Sequence, residues 1–212
     1  MDLKKLAQLQ VQMAKKVVLR DGFSKLEKIA GVDIAYKKNK AFAAAVVLDF
    51  REMSLLEVRI RVMNVSFPYI PGFLSFREAE PMKSAILSLT QDYDVLLVNG
   101  HGIAHPRGLG IASHIGVELG VPSVGVAKGL LCGEVKEDSE KEAVPVFFED
   151  EVVGYRIIPG RKRRPIYVSP GNLVSLKSSL EIVKACLRRH SLPEPLYEAH
   201  RAAAEAKRKC AT

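Results

Sequence analysis

The sequence predicts an α/β protein built on a mixed central sheet flanked by helices. Two observations carry this. Three consecutive strand-like runs, Lys28–Tyr36, Ala41–Phe50 and Leu55–Val65, are joined by short polar links, which is the pattern of an antiparallel meander. Further along, Val95–Val98, Leu109–Leu119 and Ser123–Val126 alternate strand, helix and strand, the pattern of a parallel βαβ unit.

Taken in order, residues 2–20 space Leu3, Leu6, Leu9, Met13 and Val17 about one helical turn apart and predict an amphipathic helix. In the third strand Arg59 and Arg61 alternate with Val58, Ile60 and Val62, so one face should meet water. A Pro/Gly loop, Ser66–Gly72, follows; Glu78 falls at the start of a helical segment, and a helix is expected to restart at Pro81, because proline suits a first helical turn. Beyond the βαβ unit, a charged loop near 134–142 leads to a hairpin of Val144–Phe148 with Val152–Ile158. After the basic run Arg161-Lys162-Arg163-Arg164 come a short strand, Ile166–Val168, and the sequence Ser169–Asn172, which reads as the start of a helix reaching about Arg189. A last helix covers Leu196–Lys209. A meander followed by parallel strands and helices is the order of ribonuclease H-like folds.

With 212 residues, no repeats and no long linker, the chain is expected to be one domain, 1–212. Its hydrophobic content of 48% and charged content of 26% describe a globule, and no apolar run is long enough to span a membrane. The N-terminus lacks a signal-peptide pattern. Cys132, Cys186 and Cys210 lack metal-ligand spacing and cannot all pair, so a cytoplasmic location is expected. A net charge of +8 favours a polyanionic partner, because each neutralised phosphate releases a condensed counterion.

Several residues could carry chemistry. Asp33 sits between Val32 and Ile34 inside a strand, where burying a carboxylate requires a partner or a cation. Two prolines stiffen Pro68-Tyr69-Ile70-Pro71-Gly72, a loop able to present an aromatic between stacked bases. Glu78 follows it. Asn99 ends an apolar strand, where parallel sheets place their sites, on the same face as Val95 and Leu97. Asp94 lies on the opposite face, about 16 Å away along an extended strand. Lys128 ends the next strand. Taken singly, each also fits a structural role: Asp33 on a solvent face, the Pro/Gly loop packed inward, His101, His105 and His114 hydrogen-bonded, and His200 on a helix surface.

In combination, Ala30-Gly-Val-Asp33, Pro68-Tyr-Ile-Pro-Gly72 with Arg77-Glu78, Asn99-Gly-His-Gly-Ile-Ala-His-Pro-Arg107, Gly125-Val-Ala-Lys128 and Ser169-Pro-Gly171 closely resemble the endonuclease V family of deoxyinosine-specific repair nucleases. The resemblance implies a Mg²⁺-dependent enzyme, with Mn²⁺ as a substitute. It implies hydrolysis of the second phosphodiester on the 3′ side of a deaminated adenine, leaving 3′-hydroxyl and 5′-phosphate ends. It places Asp33, Glu78 and Asn99 at metal-ligand positions, with Asn99 where the family has an aspartate. It places His105, Lys128 and His200 near the scissile phosphate. Tyr69, Ile70, Pro71 and Gly72 fall on the strand-separating wedge, and Gly72, Leu74, Gly100 and Ile111 on the pocket for the flipped base. Lys128 and the run Arg161, Lys162, Arg163 and Arg164 would hold phosphates. Asn99 carries no charge, so cleavage is expected to be impaired. The alternatives are a noncatalytic inosine-binding DNA or RNA protein and an inosine-specific ribonuclease. The expected partner is inosine-containing DNA or RNA, with no membrane, and the expected state is a monomer.

Overall fold

The computed structural model describes residues 2–136, 141–160 and 163–210. Eight strands form one sheet: β1 (Lys28–Lys37), β2 (Lys40–Asp49), β3 (Leu55–Asn64), β4 (Val95–Asn99), β5 (Ser123–Ala127), β6 (Ala143–Phe148), β7 (Glu151–Ile157) and β8 (Ile166–Asn172), in the order β3-β2-β1-β4-β5-β8-β7-β6. β1 to β3 are the expected antiparallel meander, and β1, β4 and β5 run parallel. β8, β7 and β6 continue the sheet antiparallel at the far side. The helices are α1 (Leu3–Ala14), α2 (Leu74–Ile86), α3 (Ile111–Leu119), α4 (Leu176–Cys186) and α5 (Glu194–Lys209). This is the mixed, helix-flanked sheet of a ribonuclease H-like fold.

Side-chain alternation divides the core into two layers. Ile29, Val95, Leu97, Val124 and Val126 pack with Ile182, Val183, Leu196 and Ala199 of α4 and α5. Ala30, Val32, Leu96 and Val98 pack on the other face with Met82 and Ile86 of α2 and Ile111 and Ile115 of α3. β3, at the sheet edge, is wetter than the rest, with Ile60 and Val62 exposed.

Three boundaries differ from expectation. α2 begins at Leu74 and runs through Pro81. Its buried stripe, Ser75, Glu78, Ala79, Met82, Ala85 and Ile86, already has helical spacing before the proline, so burial outweighs the one hydrogen bond that the ring removes. Ser169–Asn172 does not start a helix but extends β8, pairing Gly125 with Ser169, Val124 with Pro170 and, past a bulge, Ser123 with Asn172. Helix α4 is instead capped by Ser175, whose hydroxyl accepts from the Ser178 amide at 3.1 Å. α1 stops at Ala14, short of residue 20, because Val18 turns to exchange hydrogen bonds with the Asn172 side chain and the Leu173 amide.

α5 lies directly on β1. A side chain at Gly31 would run into the Pro195 backbone carbonyl, so this glycine sets how closely α5 approaches the strand that carries Asp33. Gly31→Ala is expected to destabilise the fold by about 1–3 kcal/mol in urea unfolding, the usual cost of overpacking a rigid contact. Wild-type stability in that variant would contradict this packing.

Candidate active site

β1 and β4 deliver the first two residues. Val32 pairs with Val98, so Asp33 and Asn99 come next, side by side at the carboxyl edge of the parallel strands. Ala30 and Val32 face α2 and α3, which leaves Asp33 facing α5. Asp33 is buried. Its Oδ1 accepts from the Asn99 amide Nδ2 at 2.7 Å and from the Ile34 backbone N–H at 2.7 Å. Its Oδ2 meets Nδ1 of His200 at 2.7 Å. His200 is no isolated surface histidine. It reaches from α5 to the Asp33 carboxylate and leaves half of its side chain in water.

Glu78 arrives from α2, buried beneath the sheet edge. Burial, reinforced by the nearby Asp33 charge, pushes its carboxyl up to about 7, against the opposing pull of Tyr36 and Arg77. Burial likewise raises the Tyr36 phenol, with the Glu78 charge adding to it. Arg77 stacks over the Tyr36 ring at 4.4 Å. Lys128 stands exposed immediately after β5. Asp94 belongs to the opposite end of the sheet, where its carboxylate accepts from the Glu27 and Lys28 amides.

The second part of the site is the loop before α2. Tyr69 is 69% exposed although aromatic, and Pro71 beside it is exposed too. Gly72, at φ 77°, turns its carbonyl inward. That carbonyl accepts from Gln10 Nε2 at 3.1 Å, from His105 Nε2 at 3.1 Å and from the Arg107 guanidinium. Arg107 also donates to Gln10 Oε1 at 2.6 Å and lies over the Phe73 ring at 4.4 Å. His105 Nδ1 accepts from the Arg107 backbone N–H, so the ring is the neutral Nε2–H tautomer. Burial and the Arg107 charge take its pKa down to about 4. His105 is therefore fastened to the loop with both nitrogens engaged.

Between this loop and the amino end of α3 lies a cavity of about 110 Å³, lined among others by Tyr69, Gly72, Leu74, His101, Gly110 and Ile111. Gly100 joins it indirectly: the Ile111 side chain occupies the space that a Gly100 side chain would need. Gly102 abuts the Pro170 backbone and donates its N–H to Ser169 Oγ at 2.8 Å. The glycines of this turn thus let the cavity wall close on the sheet.

The sequence profile described as Endonuclease V matches residues 11–201. The chain belongs to the endonuclease V family. Endonuclease V of Archaeoglobus fulgidus is 39% identical over 98% of this chain and 95% of its own length. That of Azotobacter vinelandii is 43% identical over 92% and 90%. Among solved structures, endonuclease V of Streptomyces avermitilis superposes with a TM-score of 0.89 at 30% identity, covering 97% of this chain and 93% of its own. The Ciona intestinalis endonuclease V, solved with a 24mer DNA containing an inosine followed by a ribo-adenosine, has a TM-score of 0.88 at 27% identity, covering 98% of both chains.

The endonuclease V family is one of metal-dependent hydrolases, and the donors at this edge suit a hard cation in kind: the Asp33 carboxylate, the Asn99 amide oxygen and the Glu78 carboxyl. They are short of negative charge. Among the described residues no three His, Cys, Asp or Glu side chains gather as a metal-binding group. Arg161 and Lys162 lie outside the described residues, and Arg163 donates to the Arg189 and His190 carbonyls beside the start of α5. The sequence reading assigned no role to Gln10, Tyr36 or Arg107. Gln10 had a signal, since it sits on the apolar stripe of α1 with Leu6 and Met13 and is fully buried. No helix among the described residues is long and apolar enough to cross a membrane.

The Glu78 carboxyl holds its proton more tightly folded, at about 7, than its ordinary value of 4.5. Its contribution to stability is therefore full below about pH 4.5 and is lost as pH rises through 7. In metal-free buffer, chemical unfolding from pH 5 to 8 should show wild type losing roughly 2–3 kcal/mol that Glu78→Gln does not lose. Parallel profiles for the two proteins would refute this.

Proposed function

We propose that this chain recognises deaminated adenine (hypoxanthine) in a nucleic-acid strand and retains the machinery for hydrolysing the second phosphodiester on its 3′ side, at a rate limited by Asn99. The observation that carries this is a small cavity, walled by a rigid loop with an exposed tyrosine, set beside a buried carboxylate on the same sheet edge. In this reading Tyr69, Ile70, Pro71 and Gly72 enter the stack, and the clamp on the Gly72 carbonyl keeps the loop from yielding. The flipped base enters the cavity between Gly72, Leu74, Gly100 and Ile111, where fixed backbone groups read the 6-position. Residues 1–212 act as one nuclease domain and as a monomer in the cytoplasm.

Asp33, Asn99 and Glu78 would hold Mg²⁺ or Mn²⁺, which when bound supplies an activated water and relieves charge on the phosphorane. The chain's own groups do the rest. His200, fixed through Nδ1 to Asp33, leaves Nε2 for a phosphate oxygen or for protonating the departing 3′-oxygen. Lys128 offsets charge on the phosphate from the β5 side. Both are positions of catalysis, whereas His105 acts through the loop it fastens.

Asn99 limits the rate because its amide already satisfies Asp33. Two carboxylates at these positions would repel and call for a cation between them; an amide and a carboxylate do not. Cleavage of inosine-containing duplex DNA and single-stranded RNA under Mg²⁺ checks the reading. Asn99→Asp is expected to cut faster by about a hundredfold, with inosine preference retained in both proteins. Equal rates would contradict the role of residue 99, and equal binding of inosine and ordinary strands would contradict the function.

A further inference from the structure

On the opposite side of Asp33 from the base cavity, an open groove of about 820 Å³ runs between the end of β1 and the last turns of α5. Tyr36, Lys37, Arg201, Lys207 and Arg208 line it, with Glu205 as its acid. Glu205 is paired with Lys209 at 2.7 Å and Arg201 with Glu198, so the acids near the groove are already neutralised. Lys37 donates to the Cys210 carbonyl at 2.7 Å, which ties the end of α5 to β1 and fixes the groove's width. The groove borders the site on the α5 side: Lys37 follows Asp33 by four positions and so shares its face of β1, and Arg201 is the neighbour of His200.

We infer that this groove holds the phosphodiester backbone of the strand on the 3′ side of the scissile bond. The direction follows from the layout and rests on the proposed function. The lesion cavity lies on the α3 side of Asp33, and cleavage 3′ of the lesion puts the scissile phosphate at Asp33. A strand continuing in the same sense leaves along α5 past His200 and Arg201 and enters the groove toward Lys37. Its lining suits a sugar–phosphate chain, with cations on both walls and an aromatic ring, stacked under Arg77, at its mouth. The ligand chemistry is a phosphodiester backbone, common to DNA and RNA. Arg163 of the basic run at 161–164 is bound to the α4–α5 connection.

The test is fluorescence anisotropy in EDTA, with labelled inosine-containing DNA duplex and single-stranded RNA, across a salt series. Each is used with a long 3′ flank and with a strand that stops at the scissile bond. On the long-flank strands Lys207→Ala/Arg208→Ala should bind about tenfold more weakly. Its salt slope should fall by about 1.8 on duplex and about 1.4 on single strands, the values for two lost phosphate contacts. On strands lacking the 3′ flank, variant and wild type should coincide, and Lys207→Arg/Arg208→Lys should restore the slope. Lys207 is half-buried and Arg208 exposed in the last turn of α5, and matching thermal melts confirm the fold. An unchanged slope, or a loss that persists without the 3′ flank, overturns the groove. A loss that follows removal of the 5′ flank overturns its direction. Wild-type binding without inosine preference contradicts the proposed function instead, and the slopes then still report whether the groove takes phosphates.

Discussion

The catalytic edge depends on how one buried charge, the Asp33 carboxylate, is satisfied. A carboxylate removed from water at the end of an apolar strand must be paired or coordinated. Here the Asn99 amide, the Ile34 N–H and the His200 ring fill its oxygens. Asn99 thus does with a hydrogen bond what a cation would do between two carboxylates. That makes the edge self-sufficient as folded, and the same contact opposes the charge density that phosphodiester hydrolysis needs. The limit on cleavage proposed above traces to this single amide.

In the proposed function the remaining features bring a strand to that carboxylate. On one side the Gly72 carbonyl gathers Gln10, His105 and Arg107, joining α1, the wedge loop and the turn after β4 into one rigid wall. Rigidity matters here because a loop that must part stacked bases gains nothing if it bends first. On the other side α5 closes on β1 through the Gly31–Pro195 contact, which places His200 on Asp33 and sets the basic groove alongside. On that proposal wedge, cavity, carboxylate and groove serve one path over the carboxyl edge of β1 and β4.

The meander and the βαβ unit were legible because period-two alternation survives wherever a strand has two distinct faces. The pairing of Asp33 with Asn99 was legible only as two polar residues in apolar strands; their adjacency is a matter of register. Pro81 misled because the helical stripe of α2 begins before it, and Ser169–Asn172 because a cap-like composition was overruled by pairing with β5. Gln10 was visible as a polar residue on an apolar stripe, and its partner could not be read, since Gly72 lies sixty-two positions away. The groove had no sequence signature: Tyr36 and Lys37 come from the first strand, while Arg201, Lys207 and Arg208 come from the last helix. The fold alone brings them together.

Calorimetric titration of Mn²⁺ into this chain and into Asn99→Asp tests most directly whether the amide stands in for the cation. The aspartate variant is expected to bind Mn²⁺ about tenfold more tightly or better, with a heat that the wild type lacks at the same concentrations. Equal affinities in the two proteins would contradict it, and would place the limit on cleavage somewhere other than residue 99.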